Sequence, residues 1–77
     1  MRSRWLKSKM LRQVYVHTTD DQTVFGVLEA DAPDGLVLRA AILLGESSRV
    51  PMAGEVFIPR GKVSFIQVQP LPEVVPA

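Results

Sequence analysis

The stretch Gly54-Glu55-Val56-Phe57-Ile58-Pro59-Arg60-Gly61-Lys62-Val63-Ser64-Phe65-Ile66 decides the fold. Residues 50–58 and 62–68 are rich in β-branched and aromatic side chains, and Pro59-Arg60-Gly61 supplies a turn between them. They read as two consecutive strands, although Pro51 and Gly54 lie near the start of the first. A half-exposed strand alternates apolar and polar residues, yet Val56 and Ile58 flank Phe57, and Val63, Phe65, Ile66 and Val68 occupy both faces of the second. A chain of 77 residues has no second layer with which to cover that outer face. Contact between copies would cover it, so Val56, Phe57, Ile58, Val63, Phe65 and Ile66 form the candidate subunit interface.

Upstream, the same strand chemistry recurs three times. Val14-Tyr15-Val16-His17-Thr18 reads as a first strand, and residues 23–30 as a second after the polar break Thr19-Asp20-Asp21-Gln22. Gly26 inside the second strand marks a bend, a bulge or a close backbone approach. Asp31-Ala32-Pro33-Asp34-Gly35 is a turn, because proline presets φ and Asp-Gly accepts a left-handed backbone. Residues 36–44 form a third strand, and Gly45-Glu46-Ser47-Ser48-Arg49 leads into the fourth. Ahead of all this, residues 3–12 hold good helix formers with no glycine or proline, and Ser3 can serve as the N-cap. Trp5, Leu6 and Met10 share one stripe of that helix, which is too short to stand alone and must dock on the sheet. The expected organisation is therefore a basic N-terminal helix over residues 1–13, a five-stranded unit over 14–68 and a proline-rich tail over 69–77 carrying Pro70, Pro72 and Pro76. No internal repeat is visible.

Composition narrows the chemistry. With 47% hydrophobic and 22% charged residues the chain should fold, but a domain this small buries only about 60% of its unfolded surface and usually needs a prop. There is no cysteine for a disulfide and a single histidine, His17, which cannot assemble a zinc site, so oligomerisation is the prop that remains. The net charge of +1 conceals an asymmetry: residues 1–12 carry +5 from Arg2, Arg4, Lys7, Lys9 and Arg12, whereas the rest carries −4. A one-signed segment concentrates phosphate-bearing partners such as nucleic acid, or simply solvates one end of the chain. Asp20-Asp21 sits on a turn where adjacent side chains point apart, and Asp31 with Asp34-Gly35 lacks the remaining ligands of a calcium loop. No phosphate cradle or nucleophile motif is present, so neither an enzyme nor a cofactor is expected. The start Met1-Arg2-Ser3-Arg4-Trp5-Leu6 has no apolar run, and the stretch 36–44 is interrupted by Arg39 and too short for a membrane span; a cytoplasmic location is expected.

A short basic helix followed by five compact strands is the plan of a mainly β, strongly bent, SH3-like barrel. Gly26-Val27-Leu28, Asp31 and Leu36-Val37-Leu38-Arg39-Ala40-Ala41 resemble the first motif of the Sm/LSm proteins, which include bacterial Hfq. Gly54-Glu55-Val56-Phe57-Ile58 followed by Arg60-Gly61-Lys62-Val63 and Ile66 resembles the second, so the likeness spans roughly residues 5–68. The resemblance implies an N-terminal helix on a bent five-stranded barrel, with the fourth strand of one subunit pairing with the fifth of the next in a ring of five to eight subunits. The doubly apolar strands are the two that such a ring would join.

Sm-like rings typically bind single-stranded RNA near the pore, through an asparagine and a bulky residue in the first motif and an Arg-Gly turn in the second. Here Gly35 stands where the asparagine would be, and Asp34 or its neighbourhood replaces the bulky residue. The basic turn Arg60-Gly61-Lys62 is retained behind Pro59, without the Lys-His pair of Hfq. The resemblance thus makes Arg60, Gly61, Lys62, Asp31 and Gly35 the candidate nucleic-acid site, joined by Arg2, Arg4, Lys7, Lys9 and Arg12 of the basic segment. The principal expectation is a ring-forming RNA-binding module of bacterial or phage type. The alternative is a structural ring that serves as an adaptor or as a component of a larger, phage-related assembly.

Overall fold

The computed structural model describes residues 4–70. Helix α1 (Arg4–Lys7) precedes strands β1 (Gln13–Thr18), β2 (Thr23–Ala32), β3 (Gly35–Leu44), β4 (Arg49–Pro59) and β5 (Val63–Val68), with one 3-10 turn at Arg60–Lys62. All pairings are antiparallel, and the order across the sheet is β4-β3-β2-β1-β5. The expected mainly β unit with five bent strands and a short helix is what the chain forms. Its barrel stays open: among the described residues β4 pairs with β3 alone and β5 with β1 alone.

Long strands close on themselves only if they bend, and the bend has a visible cause. The β2–β3 register shifts between Phe25 and Val27, and the β3–β4 register shifts between Arg39 and Ala41. Gly26, Ala40 and Gly54 therefore fall side by side on three neighbouring strands, with Ala40 at φ 51° and Gly54 at φ 74°. A Cβ on Gly26 would lie 3.1 Å from the Arg39 carbonyl oxygen and 3.2 Å from Ala41 Cα, so the backbones approach closely along this line.

The inner face holds the core: Leu6, Val14, Val16, Val24, Leu28, Leu36, Leu38, Ala41 and Ile58 are buried, with Met10, Met52, Val56, Ile66 and Val68 packed against them. Ile58 is 5% exposed and points inward, so it belongs to the subunit core and not to the expected interface. The register places it opposite Leu36, a fully buried residue, which settles the face that the run Val56-Phe57-Ile58 left open.

The N-terminal helix is shorter than expected. Among the described residues of this segment only Arg4–Lys7 is helical, and a series of turns carries the chain to Arg12. The backbone is captured by β2 instead: the Leu11 N–H donates to the Leu28 carbonyl at 2.8 Å and the Leu28 N–H to the Arg12 carbonyl at 2.9 Å. Leu11 takes φ 63°, the left-handed conformation that stops a helix. Leu6 is the anchor, 3% exposed, whereas Trp5 is half exposed with the Lys9 ammonium 5.7 Å from its ring centre. Ser3, Arg2 and residues 71–77 of the proline-rich tail lie outside the described residues. Among the described residues no helix is long and apolar enough to cross a membrane.

Candidate nucleic-acid interface and subunit edges

The 3-10 turn Arg60–Lys62 is bonded to two other turns of the chain. The Arg60 N–H donates to the Asp34 carbonyl at 2.9 Å, and Arg60 Nε donates to the Pro33 carbonyl at 3.2 Å. Arg60 Nη2 donates to Asp31 Oδ1 and to the Ala32 carbonyl. Asp31 is held at the end of β2 with its side chain only 6% exposed, while that of Arg60 is 38% exposed. A guanidinium presents five donors in a fixed fork, and here those of Nε and Nη2 serve one carboxylate and two carbonyls at the β2–β3 turn. The structure therefore brings Asp31, Gly35 and Arg60 together as expected, but in a different role. Arg60 and Asp31 clamp two turns, so the Nε and Nη2 side of that guanidinium is engaged within the chain.

Gly35 also has a packing role. A Cβ there would lie 2.6 Å from the Phe57 ring, and Gly35 pairs with Pro59 across the β3–β4 ladder. That Cβ would also collide with the Ile58 backbone carbonyl oxygen, so the position expected to sit at an RNA base is set by packing within the chain.

Lys62 is the exposed cation of the turn. Its carbonyl accepts from the Thr19 N–H at 2.8 Å, which ties the β1–β2 turn to this corner. Asp20 in that turn has its carboxyl below the ordinary 3.8, first because the Thr18 hydroxyl donates to it and to a smaller extent because of the Lys62 charge. The Thr18 Oγ1 to Asp20 Oδ1 distance is 2.5 Å. An acid thus stands beside the one lysine of the turn. Gly61 is exposed, with open space where a side chain would be.

The basic segment is elsewhere. Arg4 and Lys7 are exposed, Lys9 lies over Trp5, and Arg12 Nη2 donates to the Gln69 carbonyl at 3.0 Å. This segment is bonded to β2 at Leu28 and to the exit of β5, whereas the Arg60–Lys62 turn is bonded to the β1–β2 and β2–β3 turns. Among the described residues, the cations expected to bind nucleic acid form two separate groups.

The interface candidates divide by face. Phe57 on β4 and Phe65 on β5 are 49% and 56% exposed, at opposite edges of the sheet. Val56, Val63 and Ile66 are half-buried against the core. Val24, Leu43, Met52, Val56 and Ile58 line an apolar cleft of about 260 Å³, with Asp20 and Lys62 at its rim.

Two features escaped the sequence reading. The Asp31–Arg60 clamp joins residues 29 apart, and the only signal was an acid before one turn and a base after another. The strand pattern gives His17 no special role, but its ring stacks on Phe65 at 4.1 Å, its Nδ1 is 3.3 Å from Thr23 Oγ1, and its buried Nε2 has no hydrogen-bond partner among the described residues.

The chain matches no protein-family model and no curated protein sequence. Solved structures do resemble it. A heptameric archaeal Sm protein superposes with a TM-score of 0.81 at 22% identity, over 88% of this chain and all of that one. The P. aerophilum SmAP1 heptamer gives a TM-score of 0.79 at 22% identity over 86% of this chain and 89% of that one. A chain of the NatC complex bound to CoA gives 0.75 at 27% identity, over 90% of both chains. An open, bent, five-stranded antiparallel sheet behind a short N-terminal helix, matched over nearly its whole length to two archaeal Sm proteins, has the Sm fold.

Proposed function

We propose that this protein is a ring-forming Sm-like module in which β4 of one copy pairs with β5 of the next, and that the ring binds single-stranded RNA through weak contacts repeated around its axis. The observation that carries the proposal is the pair of open edges. Each ends the sheet with unsatisfied backbone groups and an outward phenylalanine, Phe57 on one side and Phe65 on the other. Joining them head to tail satisfies both and generates a closed ring if the rotation closes. The heptameric state of the two archaeal Sm proteins supports that geometry.

For RNA, Lys62 and Gly61 at the exposed turn and Arg4, Lys7 and Lys9 of the basic segment are the contacts we assign, with Arg60 and Asp31 shaping the turn from behind. One lysine per subunit is a weak site, and repetition around a ring raises its effective affinity. Each phosphate neutralised on a single strand adds about 0.7 to the slope of log affinity against log salt. The proposed role is non-catalytic and cytoplasmic, in a bacterial or phage setting.

The occupied state of Arg60 and the likeness to a NatC chain favour a second reading, in which the same edges build the protein into a larger assembly without specific RNA binding. Native mass spectrometry of the purified protein, alone and with a uridine-rich or adenosine-rich oligonucleotide at low salt, separates the two. A closed ring that takes up oligonucleotide, and loses it in Lys62→Ala, supports the RNA module. A ring that takes up none supports the assembly element, and a monomer at micromolar concentration refutes both.

A further inference from the structure

The backbone of each open edge has a fixed parity. On β4 the register pairs Leu36 with Ile58 and Gly35 with Pro59, and the Arg60 N–H extends it by donating to the Asp34 carbonyl at 2.9 Å. Antiparallel pairs alternate between bonded and non-bonded, so Val56 and Ile58 turn their N–H and C=O groups toward β3, while Glu55 and Phe57 turn theirs out of the sheet. Pro59 agrees with this, since it lacks an N–H and stands at a non-bonded position of the ladder. On β5 the Gln69 N–H donates to the Gln13 carbonyl at 2.9 Å in the register that pairs Val14 with Val68. Phe65 and Gln67 therefore bond toward β1, and Ile66 and Val68 face the open edge.

Side chains follow the same alternation, with opposite results on the two edges. On β4 the residues with outward backbone groups, Glu55 and Phe57, carry their side chains on the outer face, because Ile58 between Phe57 and Pro59 is buried. On β5 the residues with outward backbone groups, Ile66 and Val68, pack against the core, and Phe65 stacks on His17 on the outer face. Directly opposed residues of an antiparallel pair project to the same side. A joint between the two edges therefore exchanges faces: the outer face of β4 continues into the inner face of the next copy's β5, and Phe65 of that copy falls on the side of Val56 and Ile58.

That side holds a receptor. Val56 and Ile58, with Val24, Leu43 and Met52, line the apolar cleft of about 260 Å³. His17 covers one face of the Phe65 ring, and the residue is still 56% exposed. The register that keeps the bend at Gly54 out of the joint sets residues 55–59 against residues 68–64 of the next copy, which opposes Phe57 to Ile66 and Ile58 to Phe65. We propose that Phe65 of each copy docks in the apolar cleft of the next, against Ile58, and that Phe57 and Phe65 of adjoining copies lie on opposite sides of the joint. The inference rests on the ring reading and adds to it which faces meet.

The chain has no cysteine, so introduced pairs report alone. Val56→Cys/Gln67→Cys sets two thiols across a non-bonded pair of the joint, where Cα atoms lie about 4.5 Å apart and a disulfide can close. Glu55→Cys/Gln67→Cys moves one thiol by a single residue and thereby to the other side of the joint. Both full-length variants are oxidised and resolved on a non-reducing denaturing gel, beside native mass spectrometry of the parent protein. The first variant forms a ladder of covalent multimers, with at least about tenfold more cross-linking than the second. The reverse preference, equal cross-linking, or a ring with neither cross-link overturns the exchange of faces and leaves the ring standing; a monomeric parent overturns the ring and this inference together. Independently, Phe65→Ala and Val56→Ala each weaken association, and the combined loss falls short of the product of the two by about threefold or more, as expected of side chains in contact. Losses that simply multiply overturn the docking.

Discussion

Replacing Arg60 with alanine tests the clamp. The substitution removes the guanidinium that bonds Asp31, the Ala32 carbonyl and the Pro33 carbonyl. Breaking a fully buried ion pair by deleting one partner costs about 3–5 kcal/mol, and breaking an exposed one costs less than about 1 kcal/mol. The Asp31 side chain is 6% exposed, near the buried limit, but that of Arg60 is 38% exposed, so solvent screens the pair from one side. Water can also replace the guanidinium at the two turn carbonyls. The expected loss is therefore about 2 kcal/mol, midway between the limits. For a domain of this size that lowers the melting temperature by roughly 8–16 °C. The assay is thermal or urea unfolding at one fixed protein concentration, because assembly adds to the measured stability. Arg60→Lys recovers little, since an ammonium cannot serve the same fork of acceptors. Asp31→Asn combined with Arg60→Ala costs less than the sum of the single changes by about 1 kcal/mol, the coupling expected of residues in direct contact. A melting temperature for Arg60→Ala within about 3 °C of the parent protein would refute the reasoning, and would return Arg60 to the list of groups available to RNA.

Four further outcomes are expected. Phe57→Asp or Phe65→Asp lowers the mass seen by native mass spectrometry while circular dichroism stays unchanged, because each side chain is half exposed in the single subunit; Ile58→Asp, buried at 5% exposure, abolishes the folded signal. Gly35→Ala destabilises by about 1–3 kcal/mol in urea unfolding, since its Cβ would lie 2.6 Å from the Phe57 ring and the ladder to β4 must open. Ala40→Gly stabilises by about 1 kcal/mol in the same assay, because Ala40 is exposed and held at φ 51°. Asp20 titrates below 3.8 in the folded protein, so its contribution to stability is present above that value and is lost as pH falls through the lower folded-state value. Thr18→Val, which removes the leading cause, moves the Asp20 carboxyl titration followed by nuclear magnetic resonance upward, whereas Lys62→Ala moves it less.

The strands were legible because their signals are local. Gly26 in β2, Pro33-Asp34 between β2 and β3, and the polar Gly45–Ser48 loop all act within a few residues of where they sit, and the observed boundaries differ from the expected ones by one or two positions. The helix was not legible beyond Lys7, although residues 8–12 have adequate propensity, because hydrogen bonds from Leu28 of β2 outcompete the helical ladder. The face of β4 was hidden for a different reason. When Val56, Phe57 and Ile58 are all apolar, alternation carries no sign, and only the pairing of Ile58 with Leu36 fixes which of them is inside. At the candidate site the residue types were legible and their roles were not, since a basic residue after a turn reads as a free cation until the acid 29 positions earlier is seen bonded to it.

The clamp and the open edges bear on one another. Arg60 follows β4 at once, and Asp31 closes β2, so their bond fixes the end of an edge strand to the middle of the sheet. An edge strand intended for pairing with another copy must hold its register before the partner arrives, or the partner will meet several registers and pair in several ways. Phe57, three residues before Arg60, lies against Gly35 on the same hairpin, so the clamp and the glycine together hold the outward phenylalanine at a single height on the edge. On the other side of the sheet His17 stacks on Phe65 and holds the second phenylalanine in the same manner. Two residues that resemble parts of a binding site, a basic Arg60 and a glycine in a turn, thus make physical sense as devices that preorganise an edge. Preorganisation reduces the entropy lost on association, which matters most for a subunit whose own core is small. In the proposed ring, recognition of RNA depends on the lysines that this framework leaves exposed, and its strength on how many copies the edges bring together.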